Sequence, residues 1–186
     1  PFSRWEETVL PLHDPDGMPL DLVANAKDTR PGYAQSGIPE KHSIRGIYVV
    51  THMVRKYNPT VKLLTELMNH RRDDESADRI RLSIGGNPGE WIDIQYDANA
   101  QMGIQGAGTV HHLAFRTPDD ASQLELRDIL QQKGYFPSPV MDRQYFHSVY
   151  FREPNGILFE IATDPPGFLA DETEQELGRA LKLPSW

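Results

Sequence analysis

Three times in its 186 residues this chain passes through a Pro/Gly turn into alternating residues that carry one carboxylate flanked by aliphatics. The copies are Asp14-Pro15-Asp16-Gly17-Met18-Pro19-Leu20-Asp21-Leu22, Asn87-Pro88-Gly89-Glu90-Trp91-Ile92-Asp93-Ile94 and Glu153-Pro154-Asn155-Gly156-Ile157-Leu158-Phe159-Glu160-Ile161. Each reads as a tight turn leading into a strand. Asp21, Asp93 and Glu160 are spaced by 72 and 67 residues, about one small supersecondary unit. A repeat on that scale predicts a chain assembled from copies of one unit.

The intervening segments fill in the unit. Ile44 to Val50 is rich in β-branched residues and reads as a strand. Asn58-Pro59 offers an N-cap followed by a proline, and Val61, Leu64, Leu67 and Met68 form a helical stripe. Asp78 to Ile84 sets Ile80, Leu82 and Ile84 against Arg79, Arg81 and Ser83, a half-buried strand. The next unit repeats the order: a strand over 109–116, then a helix opened by Thr117-Pro118-Asp119-Asp120. Leu124, Ile129 and Leu130 form its buried face and Gly134 closes it. Strands over 146–152 and 157–163 complete that unit.

The expected organisation is therefore α+β, with repeated βαβββ units forming cupped, barrel-like mixed sheets that enclose a cavity. Residues 1–30 read as the final hairpin of an earlier unit and 31–43 as a linker. A βαβββ unit follows over 44–106 and a second over 107–170. Residues 171–186 read as a helical tail ending at Pro184. The chain opens on Pro1 without Met, so the start of its first unit is expected to lie outside this sequence.

Composition narrows the function. There is no Cys, which removes disulfide scaffolds, thiolate zinc sites, iron–sulfur clusters and cysteine nucleophiles. The formal charge is −8 with no basic run, which argues against nucleic acid. Apolar runs such as Ile47 to Val50 are far too short to span a bilayer, and no signal-peptide pattern opens the chain. The expected setting is cytoplasmic, with no membrane partner.

Strand alternation puts Ile157, Phe159 and Ile161 on one face and Leu158, Glu160 and Ala162 on the other. The apolar face should pack on the helices, which turns Glu160 to the opposite, concave side. A buried carboxylate needs a cation or several donors; the alternative is an edge position, solvated or paired with Arg. His112 shares a face with Ala114 in the opening strand of the same unit, and His111 points the other way. The bland reading of this pair is one surface and one core histidine. Imidazole with carboxylate and no thiolate suits Fe(II), Mn, Zn or Ni. Tyr150, Ser148 and Phe146 share a face, and His147 points away. Arg143 could hold an anionic oxygen and Tyr150 could donate a hydrogen bond; a solvated strand end and core packing are their alternatives. In the preceding unit, aligning 44–50 with 109–115 puts Ile47 where His112 stands. His13, His42 and His70 read as solvated.

The stretches Val110-His111-His112-Leu113-Ala114-Phe115-Arg116 and Tyr150 to Phe168 resemble the vicinal oxygen chelate superfamily. Within it they are most similar to ring-cleaving dioxygenases of the hydroquinone type. The resemblance implies a mononuclear Fe(II) site, with Mn(II) as the substitute ion, held by two His and one Glu. His112 and Glu160 match two of these ligands. His111, Arg143 and Tyr150 match positions that bind substrate or move protons. The family's other His ligand comes from the first strand of the first unit, which this sequence does not contain.

The resemblance thus implies extradiol-type cleavage of a (chloro)hydroquinone or related aromatic diol, with that diol and O₂ as partners. A homo-oligomer, or pairing with the missing N-terminal half, would complete the site. A glyoxalase-type metal-dependent lyase or isomerase and a non-catalytic small-molecule binder are the rival readings on the same fold.

Overall fold

The computed structural model describes residues 1–33 and 37–183. Within it the chain divides into two compact units, Pro1–Thr109 and Val110–Trp186. Both are α+β, as the repeat predicts. Residues 34–36 of the expected linker, and Pro184, lie outside the described residues.

The first unit begins with a three-stranded antiparallel sheet, β1 (Phe2–Arg4), β2 (Glu7–His13) and β3 (Pro19–Ala24), in that order. It continues with β4 (Val49–Val54) and α1 (Tyr57–Lys62), which runs on into a π-helical turn over Leu63–Leu67. Then come β5 (Arg71–Glu75), β6 (Arg79–Ser83) and β7 (Trp91–Tyr96). The second sheet has the order β4-β7-β6-β5, with β4 parallel to β7 and the other pairs antiparallel. The second unit repeats the plan. Its elements are β8 (Leu113–Thr117), α2 (Asp120–Gln132), β9 (Met141–Asp142), β10 (His147–Arg152) and β11 (Leu158–Thr163). They pair in the order β8-β11-β10-β9, with β8 parallel to β11. Each four-stranded sheet therefore pairs its first strand with its last.

Each repeat turn places a glycine at positive φ; Gly17 and Gly156 close theirs by donating to Asp14 O and Glu153 O, whereas in the second turn Glu90, the residue after Gly89, donates to Asn87 O. Gly17, Gly89 and Gly156 have φ of 88°, 91° and 90°, which a residue with a Cβ adopts only at a cost. In the third turn the buried Glu153 carboxylate accepts from the backbone N–H of Asn155 and of Ile157, at 2.7 and 3.1 Å. That fixes the entry into β11.

The apolar cores follow the alternation. In the second unit α2 lies against β8, β10 and β11, and Leu130, Val149, Phe151, Phe159 and Ile161 are buried. The Gln123 amide on α2 donates to the backbone oxygens of His147 and Ile161, both at 2.8 Å, which ties helix to sheet. Asp119 is the N-cap and its carboxylate accepts from Ser122 N at 2.8 Å. Gly134, just past the helix, has φ 84°. In the first unit Val54, Leu63, Leu64, Ile80, Leu82, Ile92 and Ile94 form the core.

Several boundaries differ from the sequence reading, for physical reasons. The opening strands begin later than predicted, at Val49 and Leu113, because β7 and β11 pair only from those residues onward. Asn58 is not a cap; Lys56 precedes the first helical residue and Pro59 lies inside the first turn. Leu124 is exposed, and Gln123 takes the buried position beside it. His70 is buried rather than solvated, with Nδ1 2.8 Å from Met68 O. Residues 171–183 form turns and irregular chain instead of a helix. Leu177, Leu181 and Leu183 are all exposed, so this acidic segment has no packed face, and a short helix without packing is marginal in water. No helix among the described residues is long and apolar enough to cross a membrane.

The Arg79/Arg81/Ser83 side of β6 is buried, not half-exposed as alternation suggested. Arg81 is 3% exposed and donates Nε to Asp93 Oδ1 at 2.7 Å and Nη2 to Asp93 Oδ2 at 2.9 Å. It also pairs with Glu7 of β2. Arg79 donates to Asp93 Oδ2 at 3.1 Å. Arg4 joins Glu7 and Asp21 at 3.1 and 2.9 Å. Trp5, Trp91 and Tyr48 surround the Arg81 guanidinium, their ring centroids 4.6, 5.1 and 5.8 Å from Cζ. Burial pushes the Glu7 carboxyl up, but the hydrogen bonds and charge of Arg81, with Tyr48 and Arg4, hold it below the usual carboxylate range. Burial and the Glu7 contact push the Tyr48 phenol up to about 12.

Two outcomes follow from this packing. Asp93→Ala leaves Arg81 buried beside one carboxylate fewer and should destabilise the protein by about 3–5 kcal/mol, read by thermal or urea unfolding. A loss below about 1 kcal/mol would show that the network is not what holds the sheet. His52 on β4 is buried, and burial lowers its pKa from 6.5 to about 4. The unfolded chain then binds a proton that the folded chain refuses, so stability falls as pH drops from about 6.5 to about 4. At pH 5 the loss should reach about 2 kcal/mol, and His52→Phe should remove that dependence.

Candidate metal centre

Glu160 sits in the middle of β11, opposite Tyr150 of β10 and beside Ala114 of β8. Its apolar neighbours Phe159 and Ile161 are both buried, and Glu160 itself is only 2% exposed. An ionised carboxylate so placed needs donors or a cation. It has two partners: the Ser148 hydroxyl donates to Oε1 at 2.5 Å, and His112 Nε2 lies 2.6 Å from Oε2. Among the described residues no Lys or Arg pairs with it. The juxtaposition of His112 and Glu160 that the sequence reading anticipated is thus present in the geometry.

His111 and His112 both precede β8, whose first residue is Leu113. Strict alternation therefore does not govern them, and the expectation that His111 turns away from His112 is corrected. Their rings meet edge-on at 5.1 Å, with the two Nδ1 atoms 2.8 Å apart. The His112 ring also stands edge-on to Tyr150 at 5.6 Å. The Tyr150 hydroxyl donates to Ser148 Oγ at 3.5 Å. Arg143, in the turn between β9 and β10, places its guanidinium carbon 5.6 Å from the centroid of the Tyr150 ring. All five residues singled out from sequence, His111, His112, Arg143, Tyr150 and Glu160, therefore lie in one connected cluster.

Ser148 is the residue whose role the sequence reading missed. Its face was assigned correctly from Tyr150, but a serine in a strand carries no signal by itself. His147 points the other way, as alternation predicts. Its Nδ1 is 2.6 Å from Asp120 at the start of α2, and that carboxylate raises the imidazole above its ordinary pKa.

The first unit offers a direct comparison. Register sets Asp93 opposite Arg81 and beside Thr51, the places Tyr150 and Ala114 take around Glu160. Val49, two residues before Thr51, therefore occupies the place of His112. This corrects the sequence alignment, which put Ile47 there. His52 corresponds to Phe115, on the other face. Asp93 is satisfied by two arginines and Asp21 by Arg4, whereas Glu160 is met by an imidazole and a hydroxyl. Of the three repeat carboxylates, Glu160 alone is without a guanidinium partner among the described residues.

The donor set of His112 and Glu160, nitrogen and oxygen without thiolate, fits a divalent ion such as Fe(II) or Mn(II). Among the described residues no group of three His, Asp or Glu side chains is placed to hold a metal.

The model of the Glyoxalase/Bleomycin resistance protein/Dioxygenase superfamily matches residues 9–161. The chain is 40% identical over 186 residues to "Putative ring-cleaving dioxygenase MhqE" of Bacillus subtilis, covering 99% of this chain and 60% of that protein. It is 26% identical over 187 residues to a chlorohydroquinone/hydroquinone 1,2-dioxygenase of Sphingobium indicum, covering 97% of this chain and 58% of that protein. A crystal structure titled as a "putative dioxygenase" from Bacillus subtilis superposes with a TM-score of 0.89 at 36% identity, over 98% of this chain and 59% of that one. The chain thus spans about three fifths of the length of these relatives. On the family match, the shared repeat and the register of its sheets, this chain belongs to the Glyoxalase/Bleomycin resistance protein/Dioxygenase superfamily.

Proposed function

We propose that the intact protein is an Fe(II)-dependent, extradiol-type ring-cleaving dioxygenase acting on a hydroquinone, a chlorohydroquinone or a related aromatic diol, with Mn(II) as the substitute ion. The observation that carries this reading is Glu160: a buried carboxylate beside an imidazole and a hydroxyl, with its charge left uncompensated by Lys or Arg among the described residues. The ring-cleaving names of the relatives support the reaction class, and the hydroquinone dioxygenase among them supports the substrate class.

His112 Nε2 and Glu160 Oε2 would hold the ion, with a third ligand from a segment beyond this chain or from a partner copy. With Fe(II) bound, the diol becomes a stronger acid and is held next to O₂. The chain's own residues then do the rest. Ligation through Nε2 requires the Nδ1–H tautomer of His112, so His112 would donate to His111 Nδ1, and His111 would carry its own proton on Nε2, the proton it could pass to or take from substrate. Tyr150 presents a phenol at the same face and can hydrogen-bond a substrate oxygen. Arg143, over the Tyr150 ring, supplies a fixed positive charge for oxygen atoms that become anionic.

The test is anaerobic reconstitution of the full-length protein with Fe(II), followed by oxygen-electrode assays on a hydroquinone and a catechol. The expected result is stoichiometric iron and O₂ uptake in wild type, both abolished in Glu160→Ala. Full iron content and turnover in Glu160→Ala would sink the scheme. Loss of a hemithioacetal with Zn or Ni and no O₂ uptake would assign the glyoxalase-type reaction instead.

A further inference from the structure

We propose that Ser148 is a positioning residue for Glu160, fixing which carboxylate oxygen faces His112. This rests on the metal reading above and adds a role to a residue outside the ligand set. Ser148 is 0% exposed, and its hydroxyl donates to Glu160 Oε1 at 2.5 Å. That leaves Oε2 as the oxygen turned to His112 Nε2. The final torsion of a glutamate is soft, so without an anchor the two oxygens can exchange or share the ion. The same serine oxygen accepts from Tyr150, so one buried hydroxyl ties Tyr150 to the carboxylate.

The first unit supplies an independent argument. Ser148 lies two residues before Tyr150, opposite Ala162; Arg79 lies two residues before Arg81, opposite Gln95. Arg79 also donates to its unit's carboxylate, at 3.1 Å to Asp93 Oδ2. Both units thus place a hydrogen-bond donor at this position. In the first unit the donor is a cation that neutralises Asp93. In the second it is a neutral hydroxyl that orients Glu160 without adding a positive charge beside it. Serine at 148 is the choice that anchors the carboxylate without competing with a metal.

The experiment measures Fe(II) dissociation constants by chelator competition under anaerobic conditions, in the full-length protein. Wild type, Ser148→Ala, Ser148→Thr and Glu160→Ala are compared, with the melting temperature of each metal-free form. Ser148→Ala should weaken Fe(II) binding about 10- to 100-fold at a temperature where its metal-free form is still folded, and Ser148→Thr, which keeps the hydroxyl, should restore most of it. Equal affinities of wild type and Ser148→Ala would overturn the inference while leaving the metal reading intact. So would equal losses in Ser148→Ala and Ser148→Thr. Wild type that binds Fe(II) no better than Glu160→Ala would overturn the metal reading, and this inference with it.

Discussion

A carboxyl buried in a sheet, met by an imidazole and a hydroxyl and by no guanidinium or ammonium among the described residues, is the constraint from which the rest of the second unit takes its meaning. Glu160 is flanked by Phe159 and Ile161, whose burial against the helix side fixes the strand. With those two committed, the side chain between them has to project to the opposite face. Desolvation there is costly for a carboxylate, and Ser148 and His112 are the partners that meet it.

The first unit answers the same problem in another way. Its carboxylate at the matching place is locked by Arg79 and Arg81, and Arg81 is in turn packed among three aromatic rings and held by Glu7 of β2. The guanidinium groups occupy the charge deficit from within the chain. One architecture is thus used twice, once with arginines at the carboxylate and once with a serine and a histidine there. Exchanging Arg79 and Arg81 for Ser148 and Tyr150, and Val49 for His112, accounts for the difference.

Much of this was legible in the sequence because the repeat turns and strand alternation are short-range signals. The three glycine turns, the βαβββ order, the inward Glu160 and the outward His147 all come from local chemistry. What was not legible depended on pairing between distant strands. The buried face of β6 reads as solvated until β2 brings Glu7 to Arg81. The true counterpart of His112 is Val49 rather than Ile47, because the parallel register between first and last strands, not turn spacing, sets the alignment. His111 escaped the alternation rule because it lies outside the strand. The tail was read as a helix from its composition, but without apolar contacts it forms only turns.

The parallel pairing of β8 with β11 has a temporal consequence. The two strands are neighbours in the sheet although a helix and a hairpin separate them in sequence. Bringing such remote segments side by side is the slow, entropically costly part of assembling this unit. During synthesis the histidine leaves the ribosome well before the glutamate does. A nascent chain therefore exposes His112 for a few seconds before Glu160 emerges, and the two meet only when the final strand slots in.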